Sequence, residues 1–111
     1  MSTKDEIINI LKDQLHLNEE DINLDSFLIF NLKCDSLDII EIILGIEKRF
    51  NLSRFNLAEI LTKKLSVAKD IKVSKLCELI DEAMILISTS ESLIDTKKLL
   101  EEFIDFNLIR N

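Results

Sequence analysis

Five consecutive residues, Cys34-Asp35-Ser36-Leu37-Asp38, set a serine between two acids where a polar stretch turns into a strongly apolar one. A serine that attacks a substrate needs a base to take its proton, usually a histidine held by a third group. The only histidine is His16, and no Gly-x-Ser-x-Gly elbow surrounds Ser36. Nucleophilic catalysis by Ser36 is therefore not expected. A hydroxyl at the start of a helix is nevertheless accessible, and the unpaired backbone N–H groups there favour negative charge. An anionic group attached to Ser36 would find a tolerable electrostatic seat. On the tripeptide alone the commoner role for Asp35 or Ser36 is an N-cap. Cys34 beside the serine could serve as a redox handle, but nothing nearby lowers its pKa and Asp35 would raise it. A small packed side chain is expected there, and a core position for Cys77.

The elements that must position these residues read as helices throughout. A first helix is predicted over about Thr3 to Leu15, with Ile7, Ile8, Ile10, Leu11 and Leu15 on a broad apolar face. A second is predicted from Ser36 to about Phe50, with Leu37, Ile40, Ile43, Leu44 and Phe50 inward and Asp38, Glu41, Glu47 and Lys48 outward. The connection of about twenty residues between them is long for a compact domain. It must be held by its own apolar side chains, Ile22, Leu24, Phe27, Ile29 or Phe30, and Leu32. A shorter helix is predicted from Arg54 to Leu65 with Ser53 as its cap, and another over about Val73 to Ser88 with Ser74 as a start signal. After Ser88-Thr89-Ser90 a last helix runs from Glu91 to Leu108, with a stripe of Leu99, Leu100, Phe103, Ile104, Phe106 and Leu108. That stripe is expected to pack onto the bundle as added core; widening or lengthening an interior cavity, and forming a dimer or a partner-binding face, are the alternatives. Gly45, the chain's only glycine, lies mid-helix at a cost of roughly 1 kcal/mol against alanine. Either a close approach or mere tolerance accounts for it.

Composition excludes several classes. With 111 residues, one glycine and no proline, the chain suits a single all-α domain that buries roughly 65% of its unfolded surface. Two cysteines make no disulfide framework and share no metal-type spacing with His16, so no metal site is expected and reduced, cytosolic thiols are. Residues 1–50 hold five Lys/Arg against eleven Asp/Glu, a net of −6, while residues 51–111 hold nine against ten, a net of −1. Such acidity repels nucleic acid and steers the molecule toward basic patches on partner proteins. Met1 leads straight into Ser2-Thr3-Lys4-Asp5-Glu6, a capping-box pattern (Ser2 with Asp5, or Thr3 with Glu6), so no signal peptide is expected. The densest apolar run, Ile39 to Ile46, is broken by Glu41, so no transmembrane segment is expected and a cytoplasmic location is.

The stretch from Leu32 to Phe50, with Asp35-Ser36-Leu37 at the head of its helix, resembles the acyl carrier protein family. Ile7-Ile8 to Leu15 is similar to that family's first helix, Glu19-Glu20-Asp21-Ile22 to the start of its long loop, Ser26-Phe27 to the pair that anchors the loop, and Ile71-Lys72-Val73 to Ile80 to its last helix. The resemblance implies an acyl-carrier-like four-helix bundle over residues 1–84, interrupted by an insertion with an extra short helix at about 51–70, and a helical extension over 85–111 packed on the same domain. It implies a monomeric carrier rather than an enzyme. A 4′-phosphopantetheine arm, transferred from coenzyme A by a phosphopantetheinyl transferase, would be attached to Ser36 and would hold acyl groups as thioesters. Asp35, Leu37, Asp38, Glu41 and Glu47 would meet basic docking patches on transferases and synthases, in fatty acid or specialised lipid biosynthesis. For the acids a solvated helix face is the plain alternative. Carriage of polyketide or aminoacyl groups, or an interaction module that keeps the fold without the arm, are the alternative functions. Three departures point to partners unlike those of a housekeeping fatty-acid carrier. The family's Asp-Leu-Gly before the motif is Asn31-Leu32-Lys33, which puts lysine at a glycine-tolerant position; the loop is one residue longer; and Lys48 and Arg49 stand where acids are usual.

Overall fold

A computed structural model describes residues 2–110. The described residues form an all-α bundle: α1 (Thr3–Leu15), α2 (Ser36–Arg49), α3 (Leu57–Ala68), α4 (Val73–Thr89) and α5 (Leu93–Asp105), with short 3-10 turns at Glu19–Asp21 and Ser53–Phe55 and a π-helical close at Phe106–Arg110. All five helices contribute buried side chains to one apolar core. It is an all-α bundle with an added C-terminal helix, as the resemblance implies.

α1 begins where its cap dictates: the Ser2 hydroxyl accepts the Asp5 N–H at 3.2 Å, so of the two possible capping pairs it is Ser2 with Asp5 that forms. It ends at His16, whose φ of 56° puts the backbone in the left-handed region. Ile7 and Leu11 are fully buried against α2 and α4. Gly45 on α2 faces this helix, and a Cβ there would stand 3.3 Å from Ile10 Cγ2. The glycine therefore marks the close approach of α1 and α2.

Of the α2 residues expected to face inward, Ile43 and Phe50 do, and Leu37, Ile40 and Leu44 do not. Ile42, Ile43 and Ile46 are buried, with Ile39 and Phe50 packed beside them, while Leu37, Ile40 and Leu44 are exposed. The helix has apolar residues around most of its circumference, so periodicity alone permits two inward faces. Ile39, Ile42, Ile46 and Phe50 make the continuous i, i+3, i+7, i+11 stripe that packing selects.

The long loop is fixed as much by backbone as by side chains. Leu28 donates to the Ile71 carbonyl at 3.0 Å, Val73 to Ser26 at 2.9 Å and Ser74 to Leu24 at 2.9 Å. Ile22 and Leu28 are its buried apolar residues, Phe27 and Leu32 are half-buried, and Leu24, Ile29 and Phe30 are exposed. Leu28 thus takes the place expected for Ile29 or Phe30, because the bridge between Phe27 and Lys72 turns the next side chain inward.

Beyond α2 the expected helix from Arg54 to Leu65 is divided. Asn56 has φ 55°, which ends the turn at Ser53–Phe55 and forces a fresh start at Leu57. Ser53 makes no side-chain cap to α3; the Glu47 carboxylate instead accepts the Ala58 N–H at 2.8 Å. α4 starts after Lys72 without a side-chain cap, so Ser74 is not its start signal, and it runs unbroken through positions 84 and 85. The extension begins as a separate element only after Thr89. Ser92 caps α5, Leu100 and Ile104 are buried to within 1%, and Phe103 and Leu108 pack beside them. Leu99 and Phe106, expected in the buried stripe, are exposed. Lys64 on α3 reaches Asp105 at 3.1 Å and joins the two helices at their edge.

Candidate functional site

Ser36 is the first residue of α2, and the cap belongs to its neighbours. Asp35 Oδ1 accepts the Asp38 N–H at 2.8 Å, and Asp38 Oδ2 accepts the Asp35 N–H at 3.0 Å. This reciprocal box satisfies the helix start with two carboxylates. Ser36 is relieved of the capping role; its side chain is exposed, with no hydrogen-bond partner among the described residues. His16 closes the C-terminus of α1 and makes no hydrogen bond to it. The serine is free and unactivated.

A cavity of about 430 Å³ opens beside it. Cys34, Asp35, Ser36, Ile39 and Ile40 form the α2 side, Thr62, Leu65 and Ser66 the α3 side, and Lys69, Asp70, Ile71 and the loop residue Ile29 complete the walls. Most of the surface of that lining is apolar, although only five of its twelve residues are aliphatic. Asp70 builds the corner where loop, α3 and α4 meet: its Oδ1 accepts N–H groups from Ile29 at 3.0 Å and Ile71 at 2.8 Å, and its Oδ2 accepts Phe30 at 3.0 Å. Three charge-assisted bonds to one side chain hold the loop against the cavity. Thr62, Ser66, Lys69 and Asp70 lie beyond the motif, and no local signal marks them as site residues. Lys33, two residues before the cap, has φ 62°, the left-handed conformation for which glycine is the usual solution.

Cys34 is buried behind the serine, and its thiol is pushed up to about 11, first by burial and then by the carboxylates of Asp38, Asp70 and Asp35. It is a packed, unreactive thiol, as expected, with burial rather than Asp35 as the main cause. Cys77 in the core is likewise pushed up to about 11 by burial, with Asp81 adding to it.

The other residues singled out on α2 divide into two groups. Asp35, Leu37 and Glu41 are exposed and Asp38 half-buried at the serine end, with Leu37 63% exposed and Gln14 donating to Glu41. Glu47 is half-buried at the other end, turned onto the start of α3. Arg49 is bound to Glu6, which holds the Glu6 carboxyl below its ordinary range and the guanidinium above its own. Its charge is therefore partnered by α1, whereas Lys48 is exposed. Among the described residues no group of three His, Cys, Asp or Glu side chains could hold a metal ion, and no helix is long and apolar enough to cross a membrane.

A family model for the phosphopantetheine attachment site matches residues 5–68, which takes in α1, α2 and α3 together with Ser36. The acyl carrier protein of Chlamydia trachomatis (serovar L2) is 35% identical over 71 residues, 64% of this chain and 88% of the relative. The chain belongs to the acyl carrier protein family. The acyl carrier protein of Coprothermobacter proteolyticus is 33% identical over 66 residues, 60% of this chain and 77% of its own, and that of Wolinella succinogenes is 33% identical over 52 residues, 47% and 68%. No solved structure matches the chain. Like other acyl carrier proteins it is a carrier rather than an enzyme, and its cofactor is a covalently attached 4′-phosphopantetheine. The residues fit such a group: an exposed hydroxyl with no competing hydrogen bond stands at a helix start that tolerates negative charge, beside a cavity with room for an apolar chain. The match runs on through the 51–68 stretch that the sequence suggests as an insertion, while α4 and α5 lie beyond it.

Proposed function

We propose that this acyl carrier protein bears its arm on Ser36 and carries acyl intermediates in fatty acid or specialised lipid biosynthesis in the cytoplasm. The observation that carries it is the free, exposed hydroxyl of Ser36 on the rim of a cavity whose surface is largely apolar. When bound, the arm supplies a terminal thiol that holds the cargo as a thioester. The protein's own residues do the rest. Asp35 and Asp38 cap the helix start between them and leave the Ser36 hydroxyl out of the capping bonds. Ile29, Ile39, Ile40, Leu65 and Ile71 offer the walls against which an apolar cargo is removed from water. Buried Cys34 stays protonated, so no thiolate beside the serine competes for the acyl group.

Docking falls to the serine end of α2. Exposed Leu37, Ile40 and Leu44 run along the helix beside Asp35, Asp38 and Glu41, an apolar ridge edged by acids. A transferase or synthase with a basic rim around an apolar groove is the complementary surface. Residues 1–89 serve as the carrier unit, and the extension that follows serves as a buttress on the same domain.

The test is the intact mass of the protein before and after incubation with coenzyme A and a broad-specificity phosphopantetheinyl transferase. The wild type is expected to gain one phosphopantetheine, and Ser36→Ala to gain none while its far-ultraviolet circular dichroism and melting stay unchanged. A folded wild type that gains nothing would point to an interaction module without an arm.

A further inference from the structure

The C-terminal extension builds a second cavity that shares no lining residue with the one beside Ser36. α5 packs on α3 through Leu100 and Ile104, and the edges of the two helices enclose about 340 Å³ between them. Buried Phe55 and half-buried Ile60 supply its apolar part. Lys63 and Lys64 line it from α3, one turn beyond Ile60, and Lys97 and Lys98 line it from α5. Glu59 and Glu101 are the acids of the lining, so cations outnumber them by four to two. Arg54, over the Phe55 ring at 5.0 Å, adds another positive charge beside them.

These lysines are out of keeping with the rest of the chain. It has 21 Asp and Glu against 14 Lys and Arg, yet among the described residues Lys64 alone of the four makes an ion pair, with Asp105 and Glu101. Lys63, Lys97 and Lys98 gather around the groove with no acid of their own. Like charges held so close repel, and a surface of opposite sign laid across them offsets that cost. The family match ends at residue 68, so α5, and this groove with it, belong to the extension and not to the matched unit.

An acidic surface with apolar side chains at helical spacing is the complement, and the molecule has one. Along α2, Leu37, Ile40 and Leu44 are exposed at i, i+3 and i+7, with Asp35, Asp38 and Glu41 beside them. On α4 the acids Glu78, Asp81 and Glu82 have, among the described residues, only Ile85 as an exposed large apolar neighbour, a poorer match to the groove.

We infer that the α2 ridge of one copy docks in the α3–α5 groove of a second copy, Leu37 and Ile40 meeting Phe55 and Ile60 while Asp38 and Glu41 pair with Lys63, Lys97 and Lys98. Ridge and groove are different surfaces, so the contact is head to tail. It closes as a two-fold pair when both surfaces of both copies engage, and grows as a chain when they do not. A ridge so engaged is closed to a transferase or synthase, and self-association holds idle carriers in reserve until dilution or a tighter partner frees them. The inference stands on the exposed ridge and the lysine groove, and not on the arm.

Sedimentation equilibrium of the full chain, from about 10 μM to about 1 mM, covers the affinities of a small contact edged by charges. It is run at about 0.15 M salt, where a screening length of about 8 Å mutes the repulsion between two molecules of net charge −7 but not pairs in contact. The average mass of wild type should rise with concentration. Three variants are expected to weaken association by about tenfold or more while melting near wild type: Lys97→Glu with Lys98→Glu, Lys63→Glu on the facing helix, and Leu37→Ala with Glu41→Lys on the ridge. Mixing the α5 variant with the ridge variant should restore association, because each still offers the surface that the other has lost. A wild type of constant, monomeric mass would overturn the self-pairing and leave the groove to an acidic segment of another protein. Association undiminished in the lysine variants, or a mixture that stays monomeric, would overturn it as well. The mass gain of wild type on loading from coenzyme A is independent of these outcomes, so the pairing and the arm stand or fall separately.

Discussion

At the scale of single residues, the chemistry of this site is mostly the removal of competing roles. Ser36 would ordinarily be drawn into capping, but the Asp35–Asp38 box satisfies the helix start and leaves the hydroxyl free. Cys34 would ordinarily be a second nucleophile beside it, but burial and three carboxylates keep it protonated. That protection has a consequence for stability. A thiol raised to about 11 in the fold, as both Cys34 and Cys77 are, loses its proton in the unfolded chain first, near its ordinary value of 9.0. The folded state therefore binds more protons between those two values, and stability falls as pH rises through that window, being fully present below it. Urea midpoints measured from pH 8 upward are expected to fall most steeply above pH 9, and a Cys34→Ser, Cys77→Ala double variant to flatten the decline; equal slopes for both proteins would contradict it. The serine, its acids and the quiet cysteine are legible in the sequence because all lie within five residues. Asp70 and Lys69 are not, since they reach the site only through the loop's pairing with the start of α4.

At the scale of elements, α2 shows why a helix can be found correctly and oriented only in part. Its ends are written in caps and its length in an apolar run, yet apolar residues on several sides leave the inward face open until α1, α3 and the loop are in place. The outcome leaves Leu37, Ile40 and Leu44 as an exposed ridge beside the acids, the surface proposed for docking. Glu47 illustrates the same ambiguity for charge. Its sequence position suits a docking acid, but its carboxylate accepts the Ala58 N–H across the left-handed break at Asn56, a bond that depends on how α2 and α3 meet. Loss of such a cap costs about 1 kcal/mol. Chemical denaturation is expected to find Glu47→Ala destabilised by about that amount, Glu47→Gln near wild type because an amide oxygen still accepts, and Glu41→Ala unchanged. Were Glu47→Gln to match wild type in stability but bind a synthase more weakly, the acid would act in docking as well; were Glu47→Ala fully stable, the capping role would fail.

At the scale of the whole molecule, the C-terminal extension has become part of what holds the carrier together. α5 and the turn after it lie against α3 and α4, and the side chains they bring, Leu100 and Ile104, are as fully buried as Ile7 and Leu11 of α1. Thr96 is buried with them, its hydroxyl donated to the carbonyl of Ser92 in the turn before α5, so even the polar residue of that face is satisfied internally. A helix that merely covered the surface, or waited for a partner, would not reach zero exposure in isolation. Because α3 carries the wall that faces Ser36, support of α3 from behind bears on the site in front. Leu100→Ala is expected to cost about 2–5 kcal/mol, as buried leucines do, while Leu99→Ala, on the exposed side of the same helix, stays within about 0.5 kcal/mol of wild type. Loading of Ser36 should remain normal in Leu100→Ala wherever the protein is folded, since α2 and its capping box are untouched. Thermal and urea unfolding of the two variants decides the matter: equal and small losses would mean that α5 detaches readily and that the four preceding helices stand alone, whereas the expected contrast makes the extension a structural member of the fold.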